Sequence, residues 1–323
     1  MQYRKLGKTG WDVGEISFGA WALGGQWGDQ RDSDSLKALH TAVERGVNFI
    51  DTAVRYGNGR SEQVIGKFLK ETDKRIYVAT KTPPTPLPWP PTPYCNIDER
   101  YNEKWVREQV ETSLRNLDVE CIDLLQLHTW TRTWNTNPRV FDILKKLQDE
   151  GKIQYVGVST PEHDQNGVIG LIRGGYVDTV QVIYNIFEQE PAAELLPAAQ
   201  EHNVGIIVRV ALDEGSLTGK FSQDSSFPDS DFRTRYFSGD RLSRTVKRVE
   251  KLKEDVEGCS LEMYQIALKF ALSHPAVSTV IAGMRNVEQA TANTAVSDLP
   301  SLDDSLVEKL HGHLWRKGFW YQG

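Results

Sequence analysis

The chain has 323 residues, of which 39% are hydrophobic, and its 38 basic against 44 acidic residues give a formal net charge of −6. This composition supports a buried core, and the mildly acidic balance argues against nucleic acid as the main partner. No run of about 18 apolar residues occurs, which predicts that no helix spans a membrane. The first five residues lead into no apolar segment, so we expect no secretory signal.

The three cysteines, Cys95, Cys121 and Cys259, lie far apart and form no CxxC pair. This spacing argues against a disulfide framework and a zinc ribbon, and it is typical of a protein in the reducing cytoplasm. His311 and His313 are the one close histidine pair in the sequence, and no carboxylate or cysteine follows at a ligand spacing. We therefore expect no metal site.

A short apolar run rich in Ile and Val recurs eight times, and longer amphipathic segments lie between the runs. Because their hydrophobicity is continuous rather than alternating, the runs are typical of parallel strands buried on both faces. The runs are Glu15–Ala20, Val47–Ala53, Ile76–Lys81, Ile122–His128, Ile153–Thr160, Thr179–Tyr184, Gly205–Val210 and Thr279–Gly283.

Helix signals separate the runs, with apolar residues at helical spacing, Pro near several starts and Gly near several ends. The predicted helices include Ser33–Arg45, Asn102–Leu117, Pro138–Glu150, Pro191–His202 and Asn286–Val296. Eight strand–helix alternations predict an α/β fold, a (β/α)8 TIM barrel, with residues 1–323 as a single domain. The alternative is an open doubly wound sheet, which usually has fewer strands and an early glycine-rich loop.

Four segments depart from this alternation. Met1–Gly14 predicts a β-hairpin that caps the N-terminal end of the barrel, and Leu314–Tyr321 is an aromatic C-terminal extension. Pro83–Pro93 is rich in proline, which favours a stiff loop, with an interdomain linker as the alternative. The segment 211–240 follows the seventh barrel strand, where such barrels often bind phosphate.

Polar side chains follow three neighbouring barrel strands, at the end where barrel active sites lie. Asp51 lies near the end of the second run and Tyr56 follows it, Lys81 ends the third run, and His128 ends the fourth. An ammonium beside a tyrosine lowers the pKa of the hydroxyl, an aspartate holds the ammonium, and a neutral histidine orients a carbonyl. Asp51 and Lys81 taken alone are also compatible with a structural ion pair. Together the four predict a site that protonates an alkoxide as a carbonyl receives hydride.

These motifs resemble the aldo-keto reductase superfamily, most closely the bacterial branch related to potassium-channel β-subunit-like reductases. The matching stretches are Gly46–Ala53 with Tyr56–Glu62, Ile122–His128 and Tyr155–Ser159. The resemblance implies carbonyl reduction with NADP(H). It makes Tyr56 the acid, Lys81 and Asp51 its tuning pair, and His128 the residue that orients the carbonyl.

The resemblance also implies a cofactor site with three departures from the family pattern. Thr160 stands in place of an asparagine, Arg209 in place of a stacking tyrosine, and Ala292 in place of an acidic adenine contact. Arg285 is the implied 2′-phosphate contact, which favours NADP over NAD. The implied cofactor residues are Ser159, Thr160, Gln181, Arg209, Leu212, Gly215, Leu217, Gly219, Lys220, Gly283, Arg285, Gln289 and Asn293.

Tryptophans cluster after the first, third and fourth runs, and Trp21, Trp89 and Trp130 are the expected walls of a substrate pocket. Ordinary packing at the barrel rim is the alternative. The expected partner is a small carbonyl or sugar-like molecule. A sugar or alcohol dehydrogenase that runs in the oxidative direction, and a redox-sensing binding subunit, are the alternative functions. Substrate, direction and oligomeric state stay open at this stage.

Overall fold

Eight parallel strands close into a barrel in the computed structural model, which describes residues 1–86, 91–92 and 94–316. A two-stranded hairpin precedes the barrel, formed by β1 (Tyr3–Lys5) and β2 (Asp12–Gly14). The barrel strands are β3 (Ile16–Gly19), β4 (Phe49–Asp51), β5 (Tyr77–Thr82), β6 (Ile122–Leu127), β7 (Ile153–Ser159), β8 (Thr179–Ile183), β9 (Gly205–Arg209) and β10 (Val277–Gly283). They follow one another in chain order, and β10 pairs with β3 to close the ring. The predicted (β/α)8 barrel is confirmed.

Helices pack around the outside of this ring. They are α1 (Asp32–Glu44), α2 (Arg60–Glu71), α3 (Ile97–Arg100), α4 (Glu103–Leu117), α5 (Val140–Asp149), α6 (Ile169–Arg173), α7 (Leu195–Glu201), α8 (Arg233–Tyr236), α9 (Arg241–Asp255), α10 (Met263–Ser273), α11 (Val287–Ala295) and α12 (Asp304–His311). Within the described residues, no helix is both long and apolar enough to cross a membrane.

The N-terminal hairpin closes one end of the barrel, as the sequence predicts. Its turn contains Gly10 at φ 70°, a left-handed conformation that glycine adopts readily. Leu6 is fully buried against the first residue of β9, and the ring of Trp11 stacks on Tyr77 at 4.2 Å between centroids. These contacts plug the N-terminal opening and leave the carboxyl ends of the strands for a functional site.

Side chains alternate along each barrel strand, and the inward-facing set changes from apolar to polar toward the carboxyl ends. In β6, Leu125 and Leu127 pack outward in the core shared with the helices, whereas Leu124 faces the barrel interior. Period-2 alternation places Gln126 on the same inward side as Leu124. The same rule carries β4 from the interior residue Phe49 to Asp51. A polar layer therefore lies directly above an apolar plug.

Candidate active site

Lys81 is at the centre of this polar layer, where its three ammonium protons all have acceptors. The Nζ atom donates to Asp51 Oδ1 at 2.5 Å, to the carbonyl oxygen of Thr52 at 2.8 Å and to the Tyr56 hydroxyl oxygen at 3.2 Å. An ammonium has three donors, so none is left over. Because the Tyr56 oxygen accepts from Lys81, the phenolic proton is available for a group at the barrel mouth.

Asp51 is held by two amides in addition to Lys81. Its second oxygen, Oδ2, accepts hydrogen bonds from Gln126 Nε2 at 2.9 Å and from Gln181 Nε2 at 2.8 Å. The two glutamines also contact each other, since Gln181 Nε2 lies 3.3 Å from Gln126 Oε1. The carboxylate is thus fixed on both sides inside the barrel.

The charges of this cluster act on Tyr56 in opposite directions. Burial is the largest influence and raises the pKa of Tyr56, while the Lys81 ammonium lowers it. Burial also works against the charge of Lys81, but Asp51 and Tyr56 outweigh it, so the pKa of Lys81 is raised. The lowering of the Tyr56 pKa by Lys81 that the sequence predicts is present, but burial outweighs it in the protein alone. Tyr56 keeps its proton, and Lys81 offsets part of the cost of losing it.

His128 stands beside Tyr56, with the two rings edge-on and 5.9 Å apart between centroids. Burial lowers the pKa of His128 well below its ordinary value, and the positive charges of Lys81, Arg209 and Arg55 lower it further. The imidazole is consequently neutral near pH 7. A neutral imidazole can donate one hydrogen bond to a carbonyl oxygen, as the sequence predicts.

The ends of β7 and β9 form the opposite side of the mouth. Arg209 donates from Nη2 to the carbonyl oxygen of Thr160 at 3.1 Å, and its buried Nε has no acceptor among the described residues. The Thr160 hydroxyl is engaged with Gln165 Oε1 at 3.0 Å. Ser159 is buried next to them. The structure therefore brings Ser159, Thr160 and Arg209 together, whereas the amide nitrogen of Gln181 is directed at Asp51.

The segment after β9 forms a turn with several left-handed residues. Asp213–Thr218 is a 3-10 segment in which Gly215 has φ 95°, and Gly219 follows at φ 72°. Leu217 is fully buried, so only its backbone is free to face a ligand, and Lys220 is exposed. Turns of this kind present backbone N–H groups that suit phosphate.

The turn between β10 and α11 gathers four of the expected cofactor residues. Gln289 Oε1 accepts from the backbone N–H of Arg285 at 2.9 Å, and Asn293 Nδ2 donates to the carbonyl oxygen of Gly283 at 3.1 Å. The Arg285 guanidinium donates to Gln30 Oε1 and to the carbonyl oxygen of Asp29. Burial is the main reason that the pKa of Arg285 is lowered. Arg285 therefore also ties this turn to the loop after β3.

The donor set around these turns fits an anionic dinucleotide. Neither Arg209 nor Arg285 forms an ion pair within the described part of the chain. A guanidinium without a carboxylate partner is ready to bind phosphate or to lie against a planar ring. In the same described ranges, no group of three or more His, Cys, Asp or Glu residues is arranged to hold a metal ion.

An aromatic wall lies next to Tyr56, built from the loops after β3 and β9. The ring of Trp21 lies 6.1 Å from the Tyr56 ring, 5.6 Å from Trp27 and 4.5 Å from Phe232. The two loops are joined because the Phe232 backbone N–H donates to the carbonyl oxygen of Gln26 at 3.0 Å. The structure thus places Trp21 where a substrate pocket is expected.

Trp130 does not belong to this wall, which corrects the sequence-based expectation. It is 1% exposed and packs edge-on against Trp134 at 5.4 Å, while its indole N–H donates to Asn135. A pocket wall has to expose a ring face, whereas Trp130 is part of the packing under the rim. Trp89, the third expected wall, lies outside the described residues.

Three site features were missed in the sequence. Gln126 is a polar residue in an apolar strand, two positions before His128 and so on the same face, which was a usable signal. Glu62 is fully buried and accepts from Thr80 Oγ1 at 2.6 Å and Asn116 Nδ2 at 2.8 Å. Burial raises the pKa of Glu62. Phe232 gave no local signal, because its place in the wall depends on contact between distant loops.

A barrel that buries a Lys–Asp pair against a tyrosine hydroxyl at its carboxyl end holds groups that are suited to proton transfer. The model of the Aldo/keto reductase family matches residues 15–314, so the chain belongs to that family. The family generally uses a nicotinamide cofactor and acts on small-molecule carbonyl substrates, and some relatives are channel subunits.

Two curated relatives and one solved structure illustrate the similarity. The chain is 30% identical to the aldo-keto reductase YhdN of Bacillus subtilis, over 92% of this chain and 89% of that protein. It is 28% identical to a probable voltage-gated potassium channel subunit beta of Arabidopsis thaliana, over 96% and 95%. The structure of a glycerol dehydrogenase from Gluconobacter oxydans is 26% identical, with a TM-score of 0.77 over 97% of this chain and 94% of that one. The resemblance stated from the sequence is confirmed.

Proposed function

We propose that this protein is an NADP(H)-dependent reductase that converts an aldehyde or ketone to an alcohol, with Tyr56 as the general acid. The observation that carries the proposal is the 3.2 Å contact between Lys81 Nζ and the Tyr56 hydroxyl, with Asp51 behind Lys81. This contact leaves the phenolic proton directed at the mouth and places a positive charge where a phenolate would form.

In this proposal the nicotinamide supplies the hydride, and the chain supplies the proton and the orientation of the carbonyl. Neutral His128 donates a hydrogen bond to the carbonyl oxygen, and Tyr56 transfers its proton to that oxygen as negative charge develops there. Lys81 then stabilises the phenolate that remains. The aromatic wall of Trp21, Trp27 and Phe232 covers one side of the substrate.

The cofactor contacts are proposed for the residues that surround the far side of the mouth. Support comes from the two arginines without ion-pair partners, Arg209 and Arg285, and from the left-handed turn between them. The proposed set is Ser159, Thr160, Gln181, Arg209, Leu212, Gly215, Leu217, Gly219, Lys220, Gly283, Arg285, Gln289 and Asn293. Arg285 is proposed to bind the 2′-phosphate, which is the basis for NADP(H) rather than NAD(H). We also propose that the protein acts in the cytoplasm.

Oxidation of an alcohol is the second candidate, because the glycerol dehydrogenase likeness covers almost the whole chain. The same residues serve that direction with Tyr56 as the base. The likeness to a channel subunit supports a binding role as well. Initial rates with NADPH plus a panel of aldehydes, and with NADP+ plus a panel of polyols, distinguish the directions.

The decisive variant is Tyr56→Phe, which keeps the ring and removes the proton. We expect kcat to fall about 10²–10⁴-fold, while the dissociation constant for NADPH, measured by fluorescence, changes less than about twofold because the ring still fills its place. Tyr3→Phe is the matched control: it removes the hydroxyl of an exposed tyrosine in the N-terminal hairpin, at the opposite end of the barrel, and should leave kcat unchanged. A kcat for Tyr56→Phe within threefold of the unmodified protein would contradict the assignment.

A further inference from the structure

Two glutamines face the interior of the barrel below the four residues of the proposed reaction. Gln126 and Gln181 are 0% and 1% exposed, and both place their amide nitrogen on the same oxygen of Asp51. They come from β6 and β8, two strands that do not pair with each other. The contact therefore connects Asp51 on β4 across the interior of the barrel to two distant strands.

The amide protons of Gln181 are both used inside the barrel. One reaches Asp51 Oδ2 at 2.8 Å, and the same nitrogen lies 3.3 Å from Gln126 Oε1. An amide nitrogen carries two protons, so neither is left to donate toward the mouth. The amide also has an acceptor oxygen, so this geometry is compatible with the role that the family resemblance implies for Gln181, which is to hold the nicotinamide carboxamide.

We propose that Gln126 and Gln181 are positioning residues that act through Asp51. The proposal rests on the proposed reductase function. Asp51 has one oxygen on Lys81 and the other on the two amides, so the carboxylate has no freedom to rotate. A fixed carboxylate aims the ammonium of Lys81 at the Tyr56 hydroxyl. The glutamine pair thus fixes Asp51, Asp51 fixes Lys81, and Lys81 faces Tyr56.

The physical basis is the stabilisation of a buried charge. A carboxylate inside a barrel is costly unless its oxygens accept hydrogen bonds, and donors to the charged form are worth more than donors to a neutral group. Lys81 has further acceptors in Thr52 and Tyr56 and is shared between them. Without the amides, Asp51 would turn to satisfy Oδ2 and draw the ammonium away from the hydroxyl.

The test uses Gln126→Met and Gln181→Met, which keep side-chain volume and remove the amide. Each is expected to lower kcat about tenfold, the effect of losing one hydrogen bond to a charged group. The dissociation constants for NADPH and NADP+, measured by fluorescence, should change less than twofold in Gln126→Met, because Gln126 is not one of the expected cofactor residues. A kcat for Gln126→Met within twofold of the unmodified protein would overturn the proposal.

Action through Asp51 is tested by a double-mutant cycle. In the Asp51→Asn background, Gln126→Met is expected to change kcat less than twofold, because the carboxylate it would position is gone. A merely structural glutamine would have the same effect in both backgrounds, and that result overturns the proposal. Thr279→Val is the matched control: it removes a buried hydroxyl that bonds to Gly14 and Ser17 at the opposite end of the barrel, and kcat should not change.

Gln126→Glu supplies a pH-dependent readout and a second variant should the methionine not fold. At neutral pH its carboxylate faces that of Asp51 and repels it, so kcat should be low. As the pH falls and the new side chain gains a proton, it donates to Asp51 again and the ratio of variant to unmodified kcat should rise. A ratio that is constant with pH overturns the proposal.

The same cycle measured on unfolding in urea separates this proposal from the proposed function. Suppose that Gln126 and Asp51 are coupled in the unfolding midpoint but the unmodified protein turns over no aldehyde or polyol. The positioning of Asp51 by the glutamines would then be retained, and the reductase function would be rejected. If the effects of Gln126→Met and Asp51→Asn on the unfolding midpoint are additive while the unmodified protein turns over substrate, the positioning of Asp51 is rejected and the reductase function is retained.

Discussion

Lys81 and Asp51 form an ion pair at 2.5 Å in which both side chains are at most 3% exposed. The pair connects β5 with β4, two neighbouring strands of the barrel. Charged pairs on the surface of the same chain, such as Lys5 with Asp12, are 66% and 62% exposed. We therefore expect a Lys–Asp pair to contribute differently to the free energy of unfolding at the two positions.

Lys81→Met should destabilise the protein by about 3–5 kcal/mol, because it leaves the Asp51 carboxylate buried without a cation. The free energy of unfolding in urea at pH 7 measures this loss. Lys5→Met is the matched control and should cost less than about 1 kcal/mol, since water screens an exposed pair. Similar losses in the two variants would show that water reaches Asp51 and that the pair is not isolated from solvent.

Much of this fold can be predicted from the hydrophobic pattern of the sequence alone. Each of the eight apolar runs overlaps a barrel strand, because residues buried on both faces leave a continuous hydrophobic signal. Helix α2 was not predicted from pattern, although its interior face carries Val64, Ile65 and Phe68. Its first turn was interpreted as part of a family motif, and it lies directly after the glycine-rich loop at Gly57 and Gly59.

Part of the site was also predicted from the hydrophobic pattern. Asp51, Lys81 and His128 end apolar strands, where a charged or polar residue is conspicuous, and the structure brings them together with Tyr56. Trp130 was placed wrongly because position after a strand does not say whether a ring points into the mouth or under the rim. Which way a loop side chain turns depends on contacts between loops, and no local pattern records them.

The neutral state of His128 predicts a dependence of stability on pH. Burial, followed by the charges of Lys81, Arg209 and Arg55, lowers the pKa of His128 well below its ordinary value. An unfolded chain has an ordinary histidine, with a pKa of about 6.5. Below that pH the unfolded state gains a proton that folded His128 does not accept, so stability is complete above about pH 6.5 and declines below it.

His128→Gln should reduce this decline by up to about 1.4 kcal/mol for each pH unit below 6.5. Urea unfolding at several pH values between 7.5 and 5 gives the slope for the unmodified protein and the variant. The pKa values of His274 and His313 are also lowered by burial, and both residues are present in either protein, so the difference isolates His128. The exposed residue His163, changed to Gln, is the control and should leave the slope unchanged. Equal slopes in all three proteins would mean that folded His128 gains its proton as readily as the unfolded chain.

Arg285→Ala should weaken NADPH binding about tenfold or more and leave NADH nearly unchanged, because a charge-assisted hydrogen bond to the 2′-phosphate is lost. Arg285 also ties its turn to the loop after β3 through Gln30 and Asp29. Gln30→Met removes the side-chain part of that tie and keeps the guanidinium, so it is the matched control. If Gln30→Met reproduces the loss, or if both cofactors weaken equally in Arg285→Ala, the arginine shapes the turn and does not read the phosphate.

Arg209 stands where many members of the family have a tyrosine, and its geometry allows two roles. Its guanidinium is anchored through Nη2 to the carbonyl oxygen of Thr160 at 3.1 Å. Burial raises the pKa of Tyr56 and lowers the pKa of His128; the charge of Arg209 opposes the first of these shifts and adds to the second. Lying on the nicotinamide, the guanidinium would place a fixed positive charge beside the ring. That charge disfavours the cationic ring of NADP+ relative to the neutral ring of NADPH. Alternatively, it pairs with an anionic group of the substrate.

Arg209→Tyr restores a stacking ring and removes the charge, so NADP+ should bind more tightly relative to NADPH than it does in the unmodified protein. Arg209→Lys keeps the charge and removes the planar surface, so both cofactor forms should weaken while their affinity ratio stays the same. Fluorescence titration gives the four dissociation constants of the variants and the two of the unmodified protein. If the ratio in Arg209→Tyr equals that of the unmodified protein, the guanidinium does not lie on the nicotinamide. In that case KM for carboxylated aldehydes, compared with uncharged aldehydes of the same length, should rise selectively in Arg209→Tyr, because the charge that paired with the carboxylate is gone.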